Sequence, residues 1–227
     1  MSRVEPALVV LLALSVSSGW PALGADLSTW SDLAQALGTS TNLSCSYSQS
    51  TTENGLSTIE RFVDGPNAGW SLLTIDGKRP TQSQLNDYVK GIEQRADRTS
   101  PIALNVAKLV VSESVTALRN QDGLNEYRFR LHPEKPELTE ITKALEGVAT
   151  VVGSDAKGVR FILTNTRPAA YSRTFKVSTY HREIKLEWQP QWNAFFRTSE
   201  STHVEGKLLG LKSVSISTEV RYFDFQC

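Results

Sequence analysis

Residues 173–225 read RTFKVSTYHREIKLEWQPQWNAFFRTSESTHVEGKLLGLKSVSISTEVRYFDF, and this stretch decides the fold. Apolar and polar residues alternate through most of it, which predicts β-strands because successive side chains of a strand point to opposite faces. The strands predicted here cover residues 173–179, 181–188, 194–200, 202–209 and 212–225. The alternation shifts by one residue near Tyr222 and Phe223, which indicates a β-bulge. The C-terminal part of the chain is therefore expected to be almost entirely β.

The preceding residues predict shorter strands. Two are expected within residues 43–65, on either side of the Asn54-Gly55 pair, because Asn-Gly tolerates the positive φ angles of a tight hairpin. Further strands are predicted at residues 70–75, 115–120, 125–131, 148–152 and 159–165.

Helices are predicted at three places along the chain. The first covers residues 26–37, with Gly38 as its stop. The second follows the capping pattern of Thr81 and Gln84 and runs to about Ala96. The third covers residues 137–146, with Gly147 as its stop. Residues 101–111 fit either a helix or a strand, and that segment is left open.

These elements predict an α+β fold that is mostly β. We expect one large curved antiparallel sheet of about ten or eleven strands, covered by two or three helices. No short repeat and no low-complexity linker divides the chain. Residues 26–227 are therefore expected to form a single domain.

The N-terminal residues 1–25 have the parts of a secretory signal peptide. Arg3 precedes an apolar run at residues 7–16, and turn-prone and small residues follow up to Ala25. The run is shorter than the roughly 20 residues that span a bilayer, which favours a cleaved leader over a membrane anchor. We expect a Sec-type export signal with cleavage near Ala25 and no transmembrane segment in the mature chain.

The charge balance bears on the partner. The chain has 24 Lys and Arg against 24 Asp and Glu, so its formal net charge is zero. A phosphate backbone is normally met by a clearly basic surface, so nucleic acid is not expected as a partner. Basic residues nevertheless occur on the late strands: Lys176, Arg182 and Lys185 flank aromatic and aliphatic positions, and Lys207 and Lys212 bracket a leucine-rich segment at residues 208–211. A solvated strand face is one interpretation of these basic residues, and a weak attraction for anionic headgroups or an acidic partner is the other.

The chain has two cysteines, Cys45 and Cys227. In an exported protein an even number permits one disulfide, which would tie the first predicted strand to the last residue. A loop of that length stabilises a fold by about 4–5 kcal/mol in the chain-entropy model. Two separate thiols are the alternative, and the sequence leaves both open.

No motif in the sequence nominates a catalytic centre. The histidines are His132, His181 and His203, and none belongs to an HExxH motif or a Cys/His cluster. No GxSxG element, P-loop or GxGxxG motif occurs. We therefore expect no enzymatic activity, no metal and no cofactor.

Large apolar residues on the predicted strands are the candidate ligand-binding residues. On the concave face of a curved sheet such residues either pack against helices or line an apolar pocket that suits acyl chains. The sequence leaves both a filled core and a pocket open. The candidates are Trp70, Leu72, Phe129, Leu131, Phe161, Leu163, Phe175, Ile184, Leu186, Trp188, Ile216 and Val220.

One segment resembles a known family. It contains RFVDG at residues 61–65 and GWSLLTIDGKRPT at residues 69–81, followed by Leu85. This order of a strand, an Asp-Gly turn, Pro-Thr and a helix resembles exported bacterial proteins that look like relatives of the periplasmic LolA/LolB-type lipoprotein carriers. The same fold occurs in the sensor RseB. The resemblance implies a periplasmic location and a half-open β-barrel covered by helices, with an apolar interior that receives acyl chains.

Two functional hypotheses follow. The first is a periplasmic protein that binds a lipid or a lipoprotein acyl chain in the concave face of its sheet and acts as a carrier. Burial of each CH₂ group contributes about 0.8 kcal/mol to such binding. The alternative is a module for interaction with an envelope protein or for stress sensing, with no bound lipid.

Overall fold

The computed structural model describes residues 29–41, 43–66, 68–93, 104–121, 124–133, 138–152 and 158–227. The expected signal peptide lies outside these residues. Within them, four α-helices are present: α1 (Trp30–Ser40), α2 (Gln82–Glu93), α3 (Val106–Leu109) and α4 (Thr139–Ala144). The described strands are β1 (Ser46–Glu53), β2 (Leu56–Val63), β3 (Gly69–Ile75), β4 (Thr116–Gln121), β5 (Leu124–Phe129), β6 (Leu145–Val152), β7 (Gly158–Asn165), β8 (Ala169–Ala170), β9 (Phe175–Gln189), β10 (Ala194–Leu208) and β11 (Lys212–Gln226).

All of these strands belong to one antiparallel sheet. Its order is β3-β2-β1-β11-β10-β9-β7-β6-β5-β4, and the short β8 pairs with β9. The last strand of the chain therefore lies between β1 and β10 and joins the N-terminal hairpins to the rest. The sheet does not close, because β3 and β4 stand at its two ends. The predicted antiparallel, mostly β class and the predicted number of strands are confirmed.

The predicted Asn-Gly turn and the predicted capping box of the second helix are confirmed. Asn54 and Gly55 have φ angles of 49° and 92°, and they connect β1 to β2 in a two-residue hairpin. At the start of α2, the backbone N–H of Thr81 donates to Gln84 Oε1 at 2.8 Å. The backbone N–H of Gln84 donates in return to Thr81 Oγ1 at 3.3 Å. These two hydrogen bonds form the reciprocal capping box that the sequence predicts.

The predicted division of the long strands is wrong. Residues 173–179 and 181–188 lie mostly in the continuous strand β9, and residues 194–200 and 202–209 lie mostly in β10. The polar run around His203 breaks the alternation, but β10 lies between two long neighbours. His203 faces His181 on one side and Ser217 on the other. Because backbone pairing on both sides satisfies the N–H and C=O groups, the strand continues through polar residues.

Irregularities in register replace these breaks. The pairing of β9 with β10 shifts between Arg197 and Ser199 and again between Glu205 and Gly206. Near the end of β11, Ser48 pairs with Phe223 but Ser46 pairs with Gln226, and Asp224 has a φ of 55°. The bulge predicted near Tyr222 and Phe223 is confirmed.

Two glycines predicted to stop helices do not do so. Gly38 lies inside α1, which continues to Ser40. Gly147 lies inside β6, where a Cβ atom would stand 2.9 Å from Cδ2 of Phe129 and closer still to two other carbons of that ring. The glycine is therefore present because the Phe129 ring occupies the space of a side chain. The ambiguous segment at residues 101–111 contains the helical turn α3.

Helix α1 packs across the inner face of the sheet, which we define as the face that carries Phe129 and Ile184. Trp30, at the start of α1, lies 5.7 Å from Phe129 between ring centroids. At the other end of α1, the backbone N–H of Phe195 donates to Ser40 Oγ at 2.9 Å. A helix of this length spans about 16 Å, enough to cross several strands. We call the cluster of buried side chains beneath it the α1 core.

Candidate functional site

The structure distributes the twelve predicted ligand-binding residues over several places. Phe129, Leu131, Phe161, Leu163, Ile184 and Leu186 are buried in the α1 core, and Trp188 packs against it. Trp70 and Val220 pack against a second cluster, the terminal core, whose members are Cys45, Tyr47, Ala194, Phe196 and Tyr222. Leu72 and Phe175 are half-buried outside both cores, and Ile216 is exposed. The twelve side chains therefore do not line one shared cavity.

A disulfide closes the terminal core. Cys45 precedes β1 and Cys227 follows β11, and the two are bonded across a sequence separation of 182 residues. The sequence left this bond and two free thiols open, and the structure contains the bond. Tyr47 packs beside it and contacts the rings of Phe225 and Tyr222 at centroid distances of 6.4 and 6.0 Å. The start of β1 and the end of β11, which are neighbouring strands, are thereby held together.

A row of paired charges lies at Glu200 on β10. Arg197 is only 8% exposed, and its Nη1 lies 2.9 Å from Glu200 Oε2. Arg182 Nη2 lies 2.9 Å from the other carboxylate oxygen. Burial lowers the pKa of Arg182, but the Glu200 carboxylate and Tyr180 outweigh it, so this pKa is raised. One carboxylate shared by two arginines is fully used in pairing, so we assign this row a structural role.

The tyrosine hydroxyls of the terminal core are strongly affected by their surroundings. Burial raises the pKa of Tyr222, and the nearby Arg197 guanidinium opposes the shift. Burial also raises the pKa of Tyr47 far above its ordinary value, with a further contribution from Tyr222. Both hydroxyls therefore stay protonated in the folded protein over the physiological range.

A small groove on the outer face contains two histidines. It has a volume of about 310 Å³, and His181, His203 and Ser217 contribute to its walls. His203 Nδ1 lies 2.8 Å from Ser217 Oγ, and its Nε2 lies 3.4 Å from Glu205 Oε1. The surrounding backbone amides pair within the sheet, so they offer no free N–H groups that would stabilise an oxyanion. Among the described residues no group of three or more His, Cys, Asp or Glu side chains is placed to hold a metal ion.

The most exposed large apolar side chains of the described chain lie at the turn between β10 and β11. Leu209 is 68% exposed and Leu211 is 89% exposed. We call Leu208–Leu211 the leucine tip. Leu209 has a φ of 52°, a conformation that costs a residue with a side chain about 1 kcal/mol or more. Because Asn or Gly fits this position better, the fold itself does not require leucine there.

Hydrogen bonds hold the leucine tip in place. The backbone N–H of Leu209 donates to the Thr174 carbonyl at 2.6 Å, in the loop before β9. The backbone N–H of Leu211 donates to the carbonyl of Leu208 at 3.1 Å. The exposed leucines therefore project from an anchored turn. The loop before β9 adds Tyr171, which is also exposed and lies 6.4 Å from Phe175 between ring centroids.

Cations surround the leucine tip. Lys207 and Lys212 flank it in sequence. Arg173 comes from the loop before β9, and Lys176 comes from β9 itself. In the register of β9 with β10, Lys176 lies directly opposite Lys207. None of these four cations forms an ion pair with another described residue.

A larger groove adjoins these lysines. It has a volume of about 600 Å³ and is lined by Pro168, Lys176, Val177, Ser178, Glu205, Gly206, Lys207, Ser213, Val214 and Ser215. Its one carboxylate belongs to Glu205, which accepts a hydrogen bond from Thr179 Oγ1 at 3.1 Å. The sequence indicated Lys176 and the lysines on either side of the leucines, but it did not indicate Arg173, the serines or the pairing of Lys176 with Lys207. Only the register of β9 could have revealed them.

Comparison of the chain with protein-family models, curated proteins and solved structures gives no significant match. The LolA/LolB-type resemblance of residues 61–81 therefore stays a prediction, and function has to be argued from geometry. None of the helices in the described ranges is long and apolar enough to cross a membrane.

Proposed function

We propose that this protein is exported to the periplasm and binds lipid there through the leucine tip, which inserts into the surface of a bilayer. The exposure of Leu209 and Leu211 on an anchored turn carries this proposal. Removing a leucine side chain fully from water contributes about 1.5–3 kcal/mol, so two leucines supply about 3–6 kcal/mol before the costs of association. Contacts of this size support weak, reversible binding at a membrane surface.

The proposal includes the half-open β-barrel that the LolA/LolB-type resemblance implies. The register shifts in β9–β10 and β1–β11 support a curved sheet, because bulges bend strands and increase their twist. The crossing of α1 over the inner face supports it as well. The leucine tip lies at one end of the longest strands of this sheet, at the turn between β10 and β11.

Binding of an acyl chain on the inner face is a second candidate. Ile216 is 37% exposed, although it shares a face of β11 with the packed Val220, so apolar surface is left uncovered there. Most of the other predicted ligand-binding residues are buried in the α1 core, so this candidate has less support than binding through the leucine tip.

Flotation of the purified mature chain with vesicles tests the main proposal. Wild-type protein should float with vesicles that contain phosphatidylglycerol. The variant L209S/L211S should lose more than about 100-fold in apparent affinity, since it loses about 3 kcal/mol or more of apolar burial. Leu56→Ser is the matched control, because Leu56 is 53% exposed in another hairpin.

Four results would count against this proposal. Wild-type protein could fail to float with any vesicle, or the control could lose as much affinity as the tip variant. Uptake of a fluorescent fatty acid that I216K lowers and L209S/L211S leaves unchanged would favour the inner face. If no lipid binds and a stoichiometric envelope protein is captured instead, the interaction module would be the better hypothesis.

A further inference from the structure

Lys176 and Lys207 form an unusual pair on the outer face. They are direct cross-strand neighbours, which places their Cβ atoms about 4.5–5.5 Å apart. Like charges in this arrangement are destabilising, and neither ammonium group has an ion-pair partner among the described residues. An anion between the two ammonium groups would remove the repulsion.

The neighbouring groups suit an anion that accepts several hydrogen bonds. Ser213 lies directly opposite Lys207 on β11, and Ser215 lies opposite Glu205. Ser178 also lines the groove, but its hydroxyl donates to the Glu205 carbonyl at 3.2 Å, so the two hydroxyls of Ser213 and Ser215 accompany the two lysines. The Glu205 carboxylate is engaged by Thr179 and lies 3.4 Å from His203 Nε2. The groove is therefore rich in donors, and its volume of about 600 Å³ exceeds that of a phosphate group.

The position of the groove connects it with the leucine tip. Lys207 is followed at once by Leu208, and Leu208 pairs with Lys212 at the base of the turn. An amphiphile whose acyl region surrounds the tip would bring its headgroup to the level of these lysines. Phosphate is the acidic group that anionic phospholipids share, and each Lys or Arg near an anionic surface favours binding.

We infer that the groove holds the phosphate of an anionic phospholipid headgroup between Lys176 and Lys207, so that the protein binds anionic bilayers in preference to zwitterionic ones. This inference rests on the proposed function, since the leucine tip must reach the bilayer first. The overall formal charge of zero is compatible with it, because four cations (Arg173, Lys176, Lys207 and Lys212) lie at one end of the long strands.

The test compares flotation with vesicles of phosphatidylcholine alone and of phosphatidylcholine mixed with phosphatidylglycerol. Wild-type protein should prefer the mixed vesicles. The variant K176Q/K207Q should lose about 10- to 30-fold in affinity for them and little for phosphatidylcholine. K90Q/K108Q changes the net charge equally at α2 and α3 and should keep the preference.

Folding of the variant is checked by its urea midpoint. K176Q/K207Q should be at least as stable as wild type, because a repelling pair is removed. A misfolded variant is replaced by K207E, which places a carboxylate opposite Lys176 and should also lose the preference.

Separate outcomes overturn the inference and the proposed function. Equal binding of wild type to both vesicle types, or an equal loss in K90Q/K108Q, overturns the headgroup site while the role of the leucine tip stands. Absence of binding to both vesicle types overturns the proposed function as well. If inorganic phosphate perturbs Lys176 and Lys207 in NMR spectra and displaces the protein from mixed vesicles at millimolar concentration, the site takes free phosphate and the lipid assignment is wrong.

Discussion

Gly147→Ala should destabilise the protein strongly for so small a change. The added methyl group would lie 2.9 Å from Cδ2 of Phe129 and closer to Cε2 and Cζ. Carbon atoms in contact normally stand about 3.5–4.0 Å apart, so the ring edge has to move by about 1 Å or more. Phe129 is buried between Trp30 and Phe161, at centroid distances of 5.7 and 6.0 Å, and it has little room to move.

The expected net cost is about 1–2 kcal/mol. Overpacking in a buried core costs about 1–3 kcal/mol, and the gain from replacing a strand glycine by alanine offsets about 0.5–1 kcal/mol. Urea unfolding of the oxidised chain, followed by tryptophan fluorescence, measures this cost. Gly158→Ala is the control, because a Cβ atom there would make an ordinary contact of 3.5 Å with the Leu186 carbonyl oxygen. That variant should be neutral or slightly stabilised.

A double-mutant cycle with Phe129→Leu isolates the clash. The leucine variant alone should lose about 1–2 kcal/mol, since it removes part of a buried ring. In its background, G147A should cost less than about 0.5 kcal/mol, because Cε2 and Cζ, the two ring carbons that the methyl group meets most closely, are gone. If G147A costs the same with Phe129 and with leucine, the proposed contact is not the reason for this glycine.

Two further predictions concern the terminal core. Replacing both Cys45 and Cys227 by alanine should lower the free energy of unfolding by about 5 kcal/mol, because the bond closes a loop of sequence separation 182. A urea midpoint equal to that of the oxidised wild type would contradict this. Because the pKa values of Tyr47 and Tyr222 are raised, the folded state holds protons that the unfolded chain releases near pH 10. The contribution of these two tyrosines to stability should therefore be constant below about pH 10 and fall above it, by up to about 1.4 kcal/mol per pH unit for each tyrosine. Urea midpoints measured from about pH 9 to about pH 11 test this, and Tyr47→Phe should show a shallower slope than wild type.

Features that depend on a few neighbouring residues are predictable here. The Asn54-Gly55 turn and the capping box of Thr81 and Gln84 are both present. The alternation through Tyr127 and Phe129 also places these two side chains in the core. Turns, caps and alternation follow from local backbone sterics and from the two-residue period of a strand, so the sequence alone is sufficient for them.

The lengths of β9 and β10 and the role of Gly147 were not predictable in this way. The strands continue through polar residues because neighbouring strands satisfy their backbone groups. Residue 147 is a glycine because the Phe129 ring on β5 occupies the space that a side chain would need. For the same reason, the sequence did not decide whether Cys45 and Cys227 form a disulfide, since the two residues become neighbours only when β11 pairs with β1.

The sequence by itself determined the antiparallel, mostly β class of this protein and showed that leucines lie between Lys207 and Lys212. Only the tertiary structure decided that Lys176 stands opposite Lys207 and that the predicted apolar residues divide between two cores. The physical reason is that side-chain proximity across a sheet depends on strand order and register. Both depend on the packing of distant segments against one another, which no local pattern of residues records.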